Sequence, residues 1–315
     1  MKILVTGGAG FIASHVADRY IQAGHEVVVV DDLSSGRRDH VHPDAGFHRI
    51  AIEDPGLREV FEQERPDVVN HHAAQASVSV SVKDPVLDAR INVLGSVNLF
   101  EQCARFGVKK IIAISSGGCV YGDVDTFPIS EQESFKATAP YGASKIAMEY
   151  YLQYYRKHYG IGVTVLRYSN VYGPRQNPYG EAGVVAIFCK AMLEGREPTI
   201  FAAQEVGDEG CVRDYVYVGD VAEANFRALE RGDGEAFNIG TGVATTVEGL
   251  YRTLAGIAGF EQEPKVGPPR PGDILKNLLT ARKAEEGLGW TPTATLEKGL
   301  RETFAYFQAH PEGGR

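Results

Sequence analysis

The opening stretch KILVTGGAGFI constrains this chain more than any other. A β-branched run that breaks into Gly7, Gly8 and Gly10 and resumes as an amphipathic segment ending near Gly24 predicts strand, tight turn and helix in succession. Backbone N–H groups at such a turn, with a helix N-terminus behind them, suit a pyrophosphate. The next apolar run, EVVVV, ends at Asp31, 24 residues after Gly7. A carboxylate there can accept hydrogen bonds from the ribose hydroxyls of an adenosine. Together these elements predict a dinucleotide site on Gly7, Gly10, Phe11, Ile12, Asp31 and Asp32. Asp31 would repel a 2′-phosphate, which favours NAD over NADP. Arg37 and Arg38 are the contrary signal, read here as surface charge. Ala13 stands where a third glycine often lets helix and strand touch, so a slightly displaced helix is expected with binding kept.

Further apolar runs, DVVNHHAAQ, KKIIAISS and VTVLRYSN, alternate with helix-sized segments. That alternation predicts an α/β fold with a doubly wound parallel sheet of the Rossmann kind. After Asn170 the pattern loosens, with breaks at Gly173-Pro174, Pro268-Pro269 and Pro271-Gly272. Residues 1–169 are expected to form the NAD-binding domain, with the chain returning to it at about 214–239. Residues 170–213 and 240–315 are expected to form a smaller, irregular α/β substrate lobe, with Trp290 and the FAYF segment in its core.

A net charge of −9, from 32 basic and 41 acidic residues, speaks against a nucleic-acid binder, which needs clustered Lys and Arg. Cys103, Cys119, Cys189 and Cys211 show no metal or disulfide spacing, so buried reduced thiols are expected. His71 and His72 lack a third ligand in register, so no metal is expected, and one of them is expected to pack near the cofactor. The chain does not open on a secretory signal, and no run reaches the roughly 20 apolar residues of a membrane span. A cytoplasmic protein with no membrane partner is the expectation.

Tyr141-Gly142-Ala143-Ser144-Lys145 puts a phenol and an ammonium four residues apart, on one helix face. An unperturbed tyrosine ionises near ~10, too high for a base at neutral pH, but an adjacent ammonium and an oxidised nicotinamide both favour phenolate. Tyr141 is thus a candidate general acid/base and Lys145 its partner.

With TGGAGFI, HHAAQASV, SSGGCVYG, YGASK, LRYSNVYGPRQ, FNIGTG and PPRPGD in order, the chain resembles the extended short-chain dehydrogenases/reductases, and most the UDP-glucose 4-epimerases. The resemblance implies NAD recycled within each turnover, a 4-keto sugar that turns about its diphosphate, and a homodimer through residues 92–106 and 141–158. It places Ile52, Ala73, Ala74, Gln75, Asn92, Ser115, Lys145 and Tyr168 against the cofactor. It places Asn170, Ile200, Phe201, Arg213, Arg270 and Asp273 against a UDP-sugar, with Asn277 admitting or refusing a 2-N-acetyl group.

Three positions depart from the family pattern. Ala51 replaces an acid that reaches adenine, so cofactor affinity is expected to fall by about tenfold at most, with Glu53 and Asp54 as possible substitutes. Gly118 and Cys119 replace the Asp and Glu of sugar-nucleotide dehydratases. Gly117 stands where relatives carry a catalytic Ser or Thr. Its neighbour Ser116 is the remaining candidate hydroxyl, although adjacent side chains on an extended backbone face opposite ways. A re-aimed Ser116, a relaying water, or a direct bond from the sugar 4-hydroxyl to Tyr141 could fill the gap, and the last two are favoured. A UDP-glucuronate or UDP-pentose 4-epimerase, a net oxidoreductase and a non-catalytic NAD-binding regulator stand as alternatives.

Overall fold

The computed structural model describes residues 1–179, 183–270 and 273–311, so the Pro271-Gly272 break lies outside the described residues. The first half of the chain runs β1 (Lys2–Thr6), α1 (Phe11–Gln22), β2 (Glu26–Val30), β3 (Gly46–His48), α2 (Leu57–Glu64), β4 (Val68–His71), α3 (Val78–Lys83), α4 (Pro85–Ala89), α5 (Ser96–Phe106), β5 (Lys110–Ser116) and α6 (Pro140–Tyr159). A single turn of π-helix, Arg90–Gly95, joins α4 to α5. The second half continues with β6 (Gly162–Tyr168), β7 (Asn170–Tyr172), α7 (Val184–Leu193), β8 (Thr199–Phe201), β9 (Val212–Tyr217), α8 (Val218–Ala228) and β10 (Glu235–Ile239). It ends with β11 (Ala244–Thr246), α9 (Val247–Ala258), β12 (Lys265–Gly267), α10 (Arg282–Leu288) and α11 (Leu296–Ala309).

The apolar runs of the first half, with β6 and β10 from the second, become a seven-stranded sheet in the order β10-β6-β5-β4-β1-β2-β3, parallel throughout. Alternate residues face opposite layers. Ile3, Val5 and Val29 pack with Val16 and Tyr20 of α1, while Leu4, Val69, Ile111 and Ala113 pack with Phe100, Met148 and Leu152. Each buried Val, Ile, Leu, Met or Phe among them stabilises the fold by about 1.5–3 kcal/mol on leaving water. Strand order reverses between β1 and β4, and ligands of open parallel sheets bind beyond the strand ends at that point.

A second core of Phe188, Tyr251, Leu254, Leu300 and Phe307 lies under two small sheets, β11-β9-β7 and β12-β8. Strand β9 belongs here, so the return to the large sheet is made by α8 and β10 and not from residue 214. The reason is Asp214, buried on β9, whose carboxylate takes the N–H groups of Thr241, Gly242 and Leu279 and the Thr241 hydroxyl. The FAYF segment contributes Phe304, Tyr306 and Phe307 to this second core, as expected. Trp290 does not. It is buried in the large sheet's core with α10, its indole N–H donating to the Asp220 carbonyl at 2.8 Å.

The turn after β7 docks on α1. Arg175, at φ 66°, pairs with Asp18 at 2.7 Å, and His15 Nε2 donates to the Pro174 carbonyl at 2.9 Å. Burial pulls the His15 pKa down to about 4 from 6.5. The unfolded chain therefore binds a proton at a pH where the folded one does not, and stability rises with pH across that window. Urea titrations from pH 4 to 7 should show His15→Gln flattening the slope by roughly 1.4 kcal/mol per pH unit, one proton's worth. An unchanged slope would mean that His15 is charged in the folded state.

Candidate active site

At the switch point the Gly7 N–H donates to the Val30 carbonyl at 2.8 Å, and Gly7 lies so close to the β4 loop that a Cβ would stand 2.8 Å from the Ala73 nitrogen. Gly10 opens α1 with no side-chain cap. Asp31, raised by burial, holds the N–H groups of Ala9 at 3.0 Å and Leu33 at 2.8 Å. Asp32 is exposed and accepts from the Ser34 N–H and hydroxyl. Arg37 is paired with Asp39 at 2.6 Å, and Arg38 lies 4.6 Å from the Phe47 ring centroid. Ala13 is 2% exposed, its methyl accommodated in the core beside Val16. Ile52 packs on Gly95, and the Asp54 carboxylate takes the Gly56 N–H at 2.7 Å, so it has a partner other than adenine.

Asn92, on the π-turn, ties this side to the next. Its Oδ1 accepts the Gln75 N–H at 2.8 Å, while Nδ2 reaches the Gln75 carbonyl, Asp88 and Ser144 at 3.0–3.1 Å. The loop Ala73–Ala74–Gln75 is thereby fixed against α6. His71 sits between the Thr6 and Ser96 hydroxyls, at 2.8 and 2.9 Å. His72 Nε2 meets the Tyr168 hydroxyl at 3.2 Å, and burial, then Lys145, hold it neutral with a pKa of about 3. Among the described residues the Ser115 hydroxyl is buried without a partner.

The catalytic candidates meet where α6 touches the SSGGCVYG loop. A Cβ on Gly142 would stand 2.6 Å from the Cys119 carbonyl oxygen, so only glycine allows this approach. Tyr141 is half-buried beside Ser116, whose hydroxyl faces both the phenol and the Cys119 thiol and opposes the rise that desolvation imposes on each. Ser116 and Gly117 do face opposite ways, and the expectation that Ser116 points away fails because Ser116, the last residue of β5, is the one on the phenol side. Gly117 points the other way. Its Cβ would stand 2.4 Å from Leu279 Cδ1 and 3.3 Å from the Arg167 carbonyl oxygen. The Tyr168 carbonyl accepts the Gly117 N–H at 2.9 Å, and Asn277 Nδ2 donates to the Gly117 carbonyl at 3.0 Å.

Burial, then Cys119 and Asp88, hold the Tyr141 phenol well above its ordinary range, with the Ser116 hydroxyl opposing them. Lys145 Nζ lies 5.8 Å from the Tyr141 ring centroid and donates to the Ile114 carbonyl at 3.0 Å. Its own pKa is lowered to about 8 by burial, against Asp88 and Glu149. Cys119 is a second correction. It is only half-buried and lies near Arg213 and Lys145, whereas Cys103, Cys189 and Cys211 are buried.

On the far side Asn170 pairs in register with Tyr215, and Arg213 holds the Val212 carbonyl at 3.0 Å. Tyr215 was missed in the sequence. Its buried hydroxyl has no partner among the described residues, and the Arg213 charge acts on it. The Arg270 guanidinium stacks 3.6 Å from the centroid of Phe201, next to buried Ile200, and the Asp273 N–H bonds the Arg270 carbonyl. Asp208, also missed, gathers the N–H groups of Ala203, Gln204 and Gly210 and fixes the loop between β8 and β9. Asn277 is 2% exposed, turned onto Gly117, with Oδ1 unpartnered among the described residues.

The sequence profile described as the NAD dependent epimerase/dehydratase family matches residues 3–240. The UDP-glucose 4-epimerase of Mycolicibacterium smegmatis is 44% identical over 98% of this chain and 99% of its own. A UDP-glucose 4-epimerase of Thermotoga maritima solved with UDP-glucose superposes with a TM-score of 0.95 at 50% identity, covering 99% of this chain and 100% of that one. A UDP-N-acetylglucosamine 4-epimerase of Methanobrevibacter ruminantium superposes with a TM-score of 0.92 at 32% identity, covering 98% of each.

The direction of Gly117 has a measurable result. Gly117→Ser should lower unfolding free energy by about 1–3 kcal/mol, the usual cost of overpacking, without raising turnover. A stable and faster variant in urea titration and steady-state assays would show that the loop can re-aim residue 117.

Proposed function

Because the chain belongs to the NAD dependent epimerase/dehydratase family, we propose that it inverts C4 of a UDP-hexose, interconverting UDP-galactose and UDP-glucose through a 4-keto sugar. The observation that carries this reading is the meeting of Tyr141 and Ser116 beside Gly118 and Cys119, where elimination chemistry would need carboxylates.

The residues fit NAD: the Gly7–Ala73 junction is too tight for a side chain, Asp31 is buried with room for further donors, and the Ser115 hydroxyl lacks a protein partner among the described residues. Gly7, Gly10, Asp31, Ile52, Asn92 and Lys145 would hold it, and when bound it supplies an acceptor and then a donor of hydride within one turnover. Tyr141 takes the 4-hydroxyl proton, with Ser116 bridging sugar and phenol, and returns it to the same oxygen once the keto sugar has turned, so that inversion comes from hydride adding to the opposite face of C4. Below pH about 8 Lys145 carries a positive charge beside the phenol, which favours its ionisation. Arg213 and Arg270 meet the diphosphate and Asp273 the uridine ribose, as their fork and carboxylate chemistry suits. Residues 1–169 with α8 and β10 hold the cofactor, and most of the remainder holds the UDP-sugar.

Asn277 is small, and a neighbour of similar fold is named for an N-acetylated sugar. We extend the substrate to UDP-N-acetylgalactosamine on that ground. Purified protein given UDP-galactose or UDP-N-acetylgalactosamine, with no NAD added, should invert C4 of both, read by NMR. Asn277→Tyr should abolish only the second. Equal loss of both would make Asn277 a brace for Gly117 alone, and silence with NAD added would sink the epimerase reading.

Val82, Val86, Leu94 and Tyr150 are 62–76% exposed on neighbouring elements α3, α4, the π-turn and α6. An apolar face of this kind suits a second copy of the chain, giving a cytoplasmic homodimer. Light scattering should report twice the 34.2 kDa chain mass, and Val86→Asp with Tyr150→Asp should halve it. A monomeric parent protein would remove the proposal.

A further inference from the structure

Helix α6 begins without the customary side-chain cap. The residue before Pro140 is Ala139, extended at φ −136° and ψ 154°, and it has no oxygen to take the first helical N–H groups. The N–H of Tyr141, the second residue of the helix, donates instead to Ser81 Oγ at 3.1 Å, from sixty positions away. Ser81 is 0% exposed. Its own hydroxyl proton goes to the Val78 carbonyl at 2.7 Å, which leaves an oxygen lone pair for the Tyr141 N–H. At the other end of the same residue, the Tyr141 carbonyl accepts from the Ser144 hydroxyl at 2.9 Å. Ser144 in turn accepts from Asn92 Nδ2 at 3.1 Å, the side chain that fixes the Gln75 loop. One hydroxyl therefore grips each end of the Tyr141 main chain, and among the described residues neither is bonded to the phenol.

We propose that Ser81 is a positioning residue for the reaction: a helix cap delivered from another helix, which sets where α6 starts and so where the Tyr141 oxygen meets Ser116. The proposal rests on the reading of Tyr141 as general acid/base. The mechanical reason is leverage. Tyr141 sits in the first turn, the part of a helix that frays first, and a helix start released by Ser81 moves the phenol directly.

The test compares Ser81→Ala, Ser81→Ala/Ala139→Ser and Tyr141→Phe, each assayed per NAD-loaded site with UDP-galactose. Ala139→Ser supplies a local cap in the position that normally bonds the second or third helical N–H. Ser81→Ala should lower kcat by about ten- to a hundredfold with KM changed by less than about twofold, the mark of misplacement. Hydrogen exchange in the peptide spanning 139–146 should rise in that variant and recover, together with most of kcat, in the double variant. Normal turnover in Ser81→Ala, or a double variant that regains amide protection without turnover, would overturn the proposal. If Ser81→Ala fails to fold, the folded double variant decides, being active if the cap is what matters and inactive if it is not. Tyr141→Phe separates the two readings: activity there defeats the role of Tyr141, whereas an inactive Tyr141→Phe beside a normal Ser81→Ala defeats only that of Ser81.

Discussion

The chemistry of this chain depends on one close approach, that of Gly142 to the carbonyl of Cys119. Helix α6 carries Tyr141 and Lys145, and the SSGGCVYG loop carries Ser116. The two elements come from different parts of the fold, and only a missing side chain lets them close to contact. Once they are together, burial sets the electrostatics. The phenol is pushed above its ordinary range, Lys145 is pulled down to about 8, and the histidines nearby are neutral. A site in which each group is shifted towards its uncharged form lets one ionisation depend strongly on its neighbours, as proton transfer to and from a sugar hydroxyl requires.

The contact is supported from below by a buried ion pair. Glu149 lies on the same face of α6 as Tyr141 and Lys145, and its carboxylate takes a two-pronged bond from Arg167 at 3.0 and 2.6 Å. The third guanidinium nitrogen donates to the Tyr121 hydroxyl at 2.8 Å, and that hydroxyl donates in turn to Asn238 Oδ1. A pair of this kind adds little net stability compared with apolar packing, but losing one member strands a buried charge at about 3–5 kcal/mol. Its position, joining α6, β6, β10 and the end of the reaction loop, makes it a device for fixing geometry.

Much of this was legible in the sequence because the signals were local. A β-branched run, a glycine turn and a strand that leads into Asp31 define the nucleotide half within one stretch of chain, and the fold keeps their order. The spacing of Tyr141 and Lys145 likewise survives, since a helix fixes it. The misreadings of Ser116, β9 and Trp290 involve partners distant in sequence. The expectation for Ser116 starts from position 117 facing the phenol, whereas alternation holds and Ser116 is the residue that faces it. What decides the matter is Leu279, which occupies the side of Gly117 where a hydroxyl was sought. Strand β9 was assigned to the large sheet, but the bonds of Asp214 to Thr241, Gly242 and Leu279 hold it elsewhere. Trp290 follows α10 onto the large sheet, a packing choice that no window around it reveals.

The packing of Leu279 on Gly117 also bears on how such a site can change over generations. A hydroxyl at 117 requires that Leu279 give way, while a shortened side chain at 279, now 0% exposed, leaves a cavity costing about 2–5 kcal/mol. Each change is harmful alone, and only the pair together would be tolerated. Gly117 and Leu279 therefore form a coupled pair, in which a change at one is felt at the other. Through Gly117, the loop that presents Ser116 is fixed by a buried leucine 162 residues downstream.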